Sequence, residues 1–199
     1  MALTINPAVS RGNRGWLVDS AFFFAGTLVG ATASLLLCLA VVLGLSAVVP
    51  GGLVAGVLVV LVVAAALHDL GLPFPLPYRQ RQVPEPLREL LPTSAVAFVF
   101  GAMLGVGFLT LFTYSTHLAL LVALPFLPSL GAMLAAVAVF ALGKSLVLLS
   151  VAGASTLEEV PLRFRWSRPR IRVLRATTAT LSLAIAAIVA VDGAARLGG

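Results

Sequence analysis

The stretch that decides the fold runs from Ser20 to His68 and reads SAFFFAGTLVGATASLLLCLAVVLGLSAVVPGGLVAGVLVVLVVAAALH. It contains no Asp, Glu, Lys or Arg, and a second uncharged stretch lies between Glu89 and Lys144. About 20 apolar residues cross the hydrocarbon core of a bilayer as a helix. Each stretch is therefore long enough for two crossings, and the sequence predicts an all-α integral membrane protein.

The composition of the whole chain supports this prediction. Its 199 residues are 60% hydrophobic and 10% charged, with a mean hydropathy of +1.11. A soluble domain carries about 25% charged residues, so this chain has too few of them to cover a surface that faces water. The composition excludes a soluble globular domain.

Pro and Gly divide the two uncharged stretches into helices. The joints are Pro50-Gly51-Gly52 and Pro125-Phe126-Leu127-Pro128, because both residue types interrupt helices and neither joint carries charge. We expect a tight hairpin turn at each. A single transmembrane domain over residues 1–199 is thus predicted to contain five spans, at about Trp16 to Val49, Gly51 to Leu70, Thr93 to Leu124, Ser129 to Ala154 and Arg172 to Ala194.

The basic residues predict the orientation of these helices. With the amino terminus in the cytoplasm and the carboxyl terminus outside, every arginine except Arg196 lies on the cytoplasmic side. The 13 Lys and Arg exceed the 7 Asp and Glu, and such charges beside apolar spans face anionic lipid headgroups. We therefore expect a multi-pass protein of a bacterial inner (plasma) membrane, with the lipid bilayer and not nucleic acid as its partner.

A shift of 75 residues aligns the first half of the chain with the second. It pairs Phe23 with Phe98, Gly26 with Gly101, Gly30 with Gly105, Pro50 with Pro125 and Gly56 with Gly131. Matched Gly and Pro at one offset indicate an internal duplication. The sequence predicts two helical hairpins at about residues 16–72 and 93–154, in parallel orientation because each has two spans, and an additional helix at about 172–194.

Three GxxxG motifs lie within the predicted spans: Gly26 and Gly30, Gly52 and Gly56, and Gly101 and Gly105. Residues four apart share a helix face, and the missing side chains let a neighbouring backbone approach closely. We expect these faces to pack helices together, and a pivot between the repeat halves is the alternative. The first and third spans are longer than the bilayer core requires, so they either tilt or break near the glycines.

Polar residues are predicted at membrane depth. Tyr114 and His117 lie three residues apart on one helix face, next to Thr113, and each needs a polar partner or water. Asp69 closes the second span, and the repeat pairs it with Lys144 inside the fourth. Since ionisable groups are costly in a membrane, Thr113, Tyr114 and His117 either line a path for a substrate, ion or proton or make hydrogen bonds between helices. Asp69 either lines the same path or is an end group at the membrane interface. For Lys144 we expect an ion pair with Asp69 or a water-filled pocket on the path, and a side chain that reaches outward to the interface is the alternative.

A basic segment precedes the fifth span. Its cations alternate with aromatic and apolar residues, and the candidates for lipid or partner contact are Arg163, Arg165, Trp166, Arg168, Arg170 and Arg172. At a membrane surface this pattern is typical of an anchor for anionic headgroups. Docking of a cytoplasmic partner is the alternative.

The stretch from Phe98 to Leu149 carries glycine spacings around a polar cluster. They are Phe100-Gly101, Leu104-Gly105-Val106-Gly107 and Phe140-Ala141-Leu142-Gly143. With these motifs the stretch resembles the second half of the CcdA family of cytochrome c biogenesis, which is akin to the DsbD transmembrane domain and the LysE-type exporters. The resemblance implies repeated helices that carry reducing equivalents across the membrane through a cysteine pair.

The chain departs from that family in its cysteines. Cys38 is the only cysteine, the repeat pairs it with Thr113, and neither has the adjacent proline that the family uses. Five predicted spans also differ from the family's six. A single cysteine excludes an intrachain disulfide and a cysteine-rich metal site, so we expect no metal, no cofactor and no thiol relay within one chain.

Three functions are compatible with these features. A small multispanning transporter, or a transporter-like subunit, encloses a pathway lined by Tyr114, His117 and Lys144. A CcdA-like redox or maturation accessory depends on Cys38. A structural subunit holds partner helices through its GxxxG faces, in a homo-oligomer or a larger membrane complex. The sequence shows no nucleotide-binding loop and no pairing of a nucleophile with a base, so an enzyme is not predicted.

Overall fold

The computed structural model describes residues 10, 12–72, 90–106, 116–127, 129–146, 156 and 171–197. These residues are helical and contain no β-strand, which confirms the predicted all-α class for this part of the chain. A 3-10 turn at Leu124–Phe126 accompanies six α-helices. The helices are α1 (Asn13–Ser46), α2 (Gly51–Asp69), α3 (Thr93–Val106), α4 (Thr116–Ala123), α5 (Leu130–Leu146) and α6 (Ile171–Leu197).

In the part of the chain that the structure describes, two helices are long and apolar enough to cross a membrane, by length and composition. They cover Asn13–Ser46 and Gly52–Asp69 and correspond to the first two predicted spans. The other apolar helices in the described residues are shorter, over Thr93–Val106, His117–Phe126, Leu130–Leu146 and Ala176–Ile188. Parts of the third and fourth predicted spans, at 107–115 and 147–154, lie outside the described residues.

Both proline-containing joints separate helices. α1 ends at Ser46 and α2 begins at Gly51, directly after Pro50, whose φ is −52° and ψ 130°. Proline lacks an N–H donor and fixes φ, so it is compatible with a helix start and not with a helix interior. At the second joint, Ser129 Oγ accepts a hydrogen bond from the backbone N–H of Ala132 at 3.2 Å and caps the start of α5.

α1 is one continuous helix of 34 residues. Gly26 and Gly30 lie in its interior, so the first predicted span is not broken at its glycines. At 1.5 Å per residue its length is about 51 Å, against about 30 Å for the hydrocarbon core. A helix of this length tilts or extends beyond the core at its ends.

α1 buries a stripe of small, polar and aromatic residues and exposes large apolar ones. The exposed face carries Phe22, Val29, Leu36 and Leu43, which are 45% to 68% exposed. In water such a row would form an apolar patch larger than soluble monomers present, whereas lipid tails accept it. The buried positions recur every three or four residues: Trp16, Asp19, Phe23, Gly26, Thr27, Gly30, Ala31, Ser34 and Leu35.

The chain divides into two compact units. Unit 1 comprises residues 1–33, 79–111 and 135–170, and unit 2 comprises 34–78, 112–134 and 171–199. α1 and α5 each contribute to both units. α2, α4 and α6 belong to unit 2, and α3 belongs to unit 1.

In unit 1 the first half of α1 packs against α3. Trp16, Phe23 and Ala97 are buried together, with Phe100 and Leu104 against them. The rings of Phe23 and Phe100 stack with their centroids 6.2 Å apart and an interplanar angle of 29°. Offset aromatic pairs of this kind add to the energy of burial.

In unit 2, α2, α4 and α6 pack around one apolar cluster. Its buried members are Val62, Ala119, Val122 and Ala186. Ser182, one turn before Ala186 on α6, is fully buried, and its hydroxyl donates to a carbonyl of its own helix at 2.8 Å. A serine that bonds its own helix in this way adds little cost to a helix interface in lipid.

Candidate functional site

α1 and α3 approach each other backbone to backbone. A Cβ atom added at any of four glycines would overlap a main-chain carbonyl oxygen of the opposite helix. No residue with a side chain fits at such a distance, so the glycines are what allow this helix contact. They are Gly26 and Gly30 on α1 and Gly101 and Gly105 on α3.

The contacts between α1 and α3 are reciprocal: adding 75 to the residue number on α1 gives the residue that makes the same contact from α3. Gly26 lies against the carbonyl of Phe98, and its counterpart Gly101 lies against the carbonyl of Phe23. One turn further on, the second glycine of each motif repeats the exchange. Reciprocal contacts of this kind are the property of a two-fold interface, and here they join two helices that run in the same direction.

The third GxxxG motif makes no such contact in the described residues. A Cβ atom at Gly52 or Gly56 would meet nothing within 4 Å, and both glycines are exposed on α2. Of the six glycines predicted to pack helices, the four in unit 1 therefore have a close neighbour, and these two do not.

A polar pocket lies where α1 and α3 begin. It has a volume of about 370 Å³, and Asp19, one of its lining residues, is 5% exposed. The shift of 75 residues relates two pairs of the lining residues, Asp19 with Ser94 and Val18 with Thr93. Its lining residues are Ser10, Gly15, Val18, Asp19, Pro92, Thr93 and Ser94.

Two glycines shape the α1 side of this pocket. Gly12 has a φ of +94°, a left-handed conformation that L side chains rarely adopt. A Cβ atom at Gly15 would overlap the carbonyl oxygen of Ser10. The chain therefore folds back over the first turn of α1, where Trp16 N–H donates to the Gly12 carbonyl at 3.0 Å. This places Ser10, also 5% exposed, in the pocket wall.

Asp19 is a buried acid with no hydrogen bond or ion pair inside the described part of the chain. Three further polar atoms close to Asp19 in the sequence are also buried without a hydrogen-bond partner in the described residues. They are Ser10 Oγ, Trp16 Nε1 and Ser20 Oγ. A buried charge without a partner is costly, and a buried polar atom less so. Within the described residues, these polar groups are therefore left without a hydrogen-bond or charge partner.

The predicted pathway residues are placed as follows. Thr113 and Tyr114 lie outside the described residues. His117 lies on α4 and is 4% exposed, and Asp69 ends α2 and is 8% exposed, both in unit 2. Because Lys144 belongs to unit 1, its pairing with Asp69 stays a prediction.

Lys144 lies on the last turn of α5, half-buried. Its Nζ is 5.4 Å from the centroid of the Phe140 ring, which lies one turn earlier on the same helix. This distance is within the range of a cation–π interaction. The ring accounts for part of the stabilisation of the ammonium group in an apolar helix.

Cys38 lies in the second half of α1 and is a free cysteine. Its Sγ donates to the carbonyl oxygen of Leu121 on α4 at 3.3 Å, within unit 2. The thiol thus links two packed helices.

The basic segment before α6 lies almost wholly outside the described residues. α6 begins at Ile171, so of the six candidates only Arg172 lies on it. The predicted contacts with lipid headgroups stay a prediction for the others, Arg163, Arg165, Trp166, Arg168 and Arg170.

Sequence reasoning assigns no function to Asp19, because it marks only the end of the uncharged stretch. Its position on the helix does carry a signal. Asp19 lies three residues after Trp16, four before Phe23 and seven before Gly26, and such spacing places all four on one helix face. An acid in register with a glycine motif is therefore predicted to be buried with it.

The chain was compared with protein-family models, curated proteins and solved structures, and none of them matches. The resemblance to the CcdA family accordingly rests on the sequence motifs alone, and the function has to be argued from the site.

Proposed function

We propose that the chain is a small multispanning membrane transporter or a transporter-like subunit. The observation that carries the proposal is Asp19, a buried carboxylate on an apolar helix that lines a polar pocket. Ionisable residues in apolar helices are costly, and they characteristically face cavities and pathways for ions and polar solutes. Helix packing alone does not require an acid at this position.

We infer five membrane-spanning helices in a bacterial inner membrane, with a cytoplasmic amino terminus and an external carboxyl terminus. α1 and α2 support two of these spans by length and composition, and the arginine distribution supports the orientation. Asp19 lies about 9 Å along α1 from Asn13. In this topology it is near the cytoplasmic end of the first span, at the depth where tryptophans such as Trp16 are common.

We also infer that the two hairpins arose by duplication. The reciprocal contacts of Gly26 and Gly101 support this, because they are related by the same shift that aligns the sequence. In transporters built from repeats, the substrate site lies at the interface between the repeats. The pocket of Asp19 and Ser94 lies between α1 and α3, one helix from each proposed repeat, at the end of this interface and not at its middle.

The course of the pathway beyond this pocket is a further part of the proposal. We retain Thr113, Tyr114, His117 and Lys144 as pathway residues, with Asp69 as the proposed partner of Lys144. The burial of His117 supports its inclusion, since polar and ionisable residues in apolar helices characteristically face the interior of a helix bundle or a pathway.

A structural role in an assembly is the second candidate. The exposed glycines Gly52 and Gly56 favour it, because a GxxxG face with no neighbour among the described residues is able to receive a helix of another chain. Native mass spectrometry in mild detergent would show whether the chain forms a homo-oligomer, binds other proteins or is monomeric.

The transport proposal is tested by flux. The purified full chain is reconstituted in liposomes, and currents on a solid-supported membrane are recorded after concentration jumps of sodium, potassium, ethanolammonium and neutral amino acids. We expect at least one solute to give a current above that of empty liposomes, and a lower current for His117→Ala and Lys144→Ala at equal incorporation. Currents equal to those of empty liposomes for every solute would contradict transport of these solute classes.

A further inference from the structure

We propose that the pocket around Asp19 binds the ammonium group of a small primary amine. As a statement about the substrate class of the transporter, this inference rests on the proposed function. As a statement about binding, it rests on the pocket alone.

The charge of the ligand follows from Asp19. The side chain is 5% exposed, and no cation in the described residues pairs with it. Arg14, the nearest described cation in sequence, is exposed on α1, and the residues that α3 contributes to the pocket are uncharged. A buried carboxylate that pairs with no described cation gains from a cation that enters the pocket.

The hydrogen-bonding pattern selects among cations. An alkylammonium group has three N–H donors and no acceptor. The residues that line the pocket include several acceptors, namely the Asp19 carboxylate, the hydroxyl of Ser10 and the hydroxyls of Thr93 and Ser94. Ser10 Oγ is buried and has no hydrogen-bond partner in the described residues, so a bound donor would satisfy it.

The lining also argues against a quaternary ammonium. Such cations have no N–H donor, and proteins hold them in cages of aromatic rings. None of the seven lining residues is aromatic. The pocket is therefore expected to prefer a primary ammonium over a fully methylated one.

Size and charge number limit the ligand further. A volume of about 370 Å³ is at the lower end of the range of small-molecule sites. The repeat counterpart of Asp19 is Ser94, so the pocket carries one carboxylate and suits one positive charge. Val18 and Pro92 provide an apolar side for a short alkyl group.

Two sources can deliver this chemistry. One is a free amine in the cytoplasm, and the other is the ethanolamine headgroup of a lipid, because the proposed topology places Asp19 near the headgroups. Both present the same primary ammonium, and the experiment below separates them.

The test is a calorimetric titration of the full chain in nanodiscs of phosphatidylcholine and phosphatidylglycerol, which contain no primary amine. Ethanolammonium chloride is the ligand, and tetramethylammonium chloride is the matched control. We expect saturable binding of ethanolammonium only. Asp19→Asn should weaken it about tenfold or more, because it removes the opposite charge, and Ser10→Ala should weaken it less, because it removes only one hydrogen bond. Circular dichroism and elution volume confirm that both variants are folded.

Equal binding by the wild-type chain and a folded Asp19→Asn, equal binding of both cations, or no binding would overturn the proposal. Nanodiscs with added phosphatidylethanolamine separate the sources, since a lipid headgroup in the pocket lowers the apparent affinity for ethanolammonium and a free-amine site leaves it unchanged. Amine binding without flux would support the amine site and contradict the transport proposal. Flux of another solute without amine binding would support transport and contradict the amine site.

Discussion

Asp19 lies on the same face of α1 as Trp16 and Phe23, in a row of side chains that is otherwise aromatic, aliphatic or small. Asp19 has no partner among the described residues, and a buried charge without a partner opposes folding. A leucine at the same position would pack without that cost. The pocket beside it gives this acid a role that packing does not.

Cys38 offers a test between transport and a CcdA-like redox role. In unit 2 its thiol donates a hydrogen bond to the Leu121 carbonyl, a bond that a serine hydroxyl is able to replace. We expect Cys38→Ser to change the unfolding free energy by less than about 1 kcal/mol and to leave flux unchanged. Thermal unfolding in detergent and the liposome assay measure the two quantities.

A redox role makes the opposite prediction. A relay or a mixed disulfide with a partner requires the Cys38 thiolate, and serine does not supply it. Loss of function in a folded Cys38→Ser variant, together with a disulfide-linked partner of the wild-type chain, would replace the transport account with the redox one.

At the scale of elements, the contact of α1 with α3 depends on four glycines. A Cβ atom at Gly26 would overlap main-chain atoms of α3, and main-chain atoms cannot turn aside as a flexible side chain can. We therefore expect Gly26→Ala to destabilise the fold by about 1–3 kcal/mol, the usual cost of overpacking. By the reciprocal geometry, Gly101→Ala should cost a similar amount.

Gly56→Ala is the matched control for these variants. A Cβ atom there meets nothing within 4 Å, and alanine favours a helix over glycine by up to about 1 kcal/mol. This variant should be neutral or stabilised in the same unfolding experiment. Equal stability of Gly26→Ala and Gly56→Ala would show that α1 and α3 are not in main-chain contact.

The ends of the first two helices were predictable because single residues determine them. Pro50 separates α1 from α2, and the predicted boundaries of the two helices, at Trp16 to Val49 and Gly51 to Leu70, differ from the observed ones by three residues or fewer. The glycine contacts were less predictable. Three GxxxG motifs are alike in sequence, and which of them meets a backbone depends on the packing of distant segments.

The candidate site shows the same limit. His117 and Lys144 stand out in sequence because each is ionisable within an apolar stretch. The pocket brings together Ser10, Asp19 and Ser94. Ser94 is far from the other two in the chain, and Asp19 lies at the edge of an uncharged stretch, so composition does not single these residues out. Only the 75-residue shift relates Asp19 to Ser94 from sequence.

At the scale of the whole molecule, an apolar chain carries a reciprocal glycine contact between α1 and α3 and a buried acid, Asp19, beside it. The large exposed side chains of α1 face lipid in this account, and the small residues of its buried stripe bring helices together. If the two proposed repeats move against each other, a solute site between them would open.

The central claim is that solute movement depends on the Asp19 carboxylate, and flux through reconstituted protein tests it most directly. Currents of the wild-type chain, Asp19→Asn and Asp192→Asn are compared at equal incorporation, with the second variant making the same chemical change on α6. We predict that Asp19→Asn lowers the current about tenfold or more, whereas Asp192→Asn retains it. A wild-type current from folded Asp19→Asn would contradict the account.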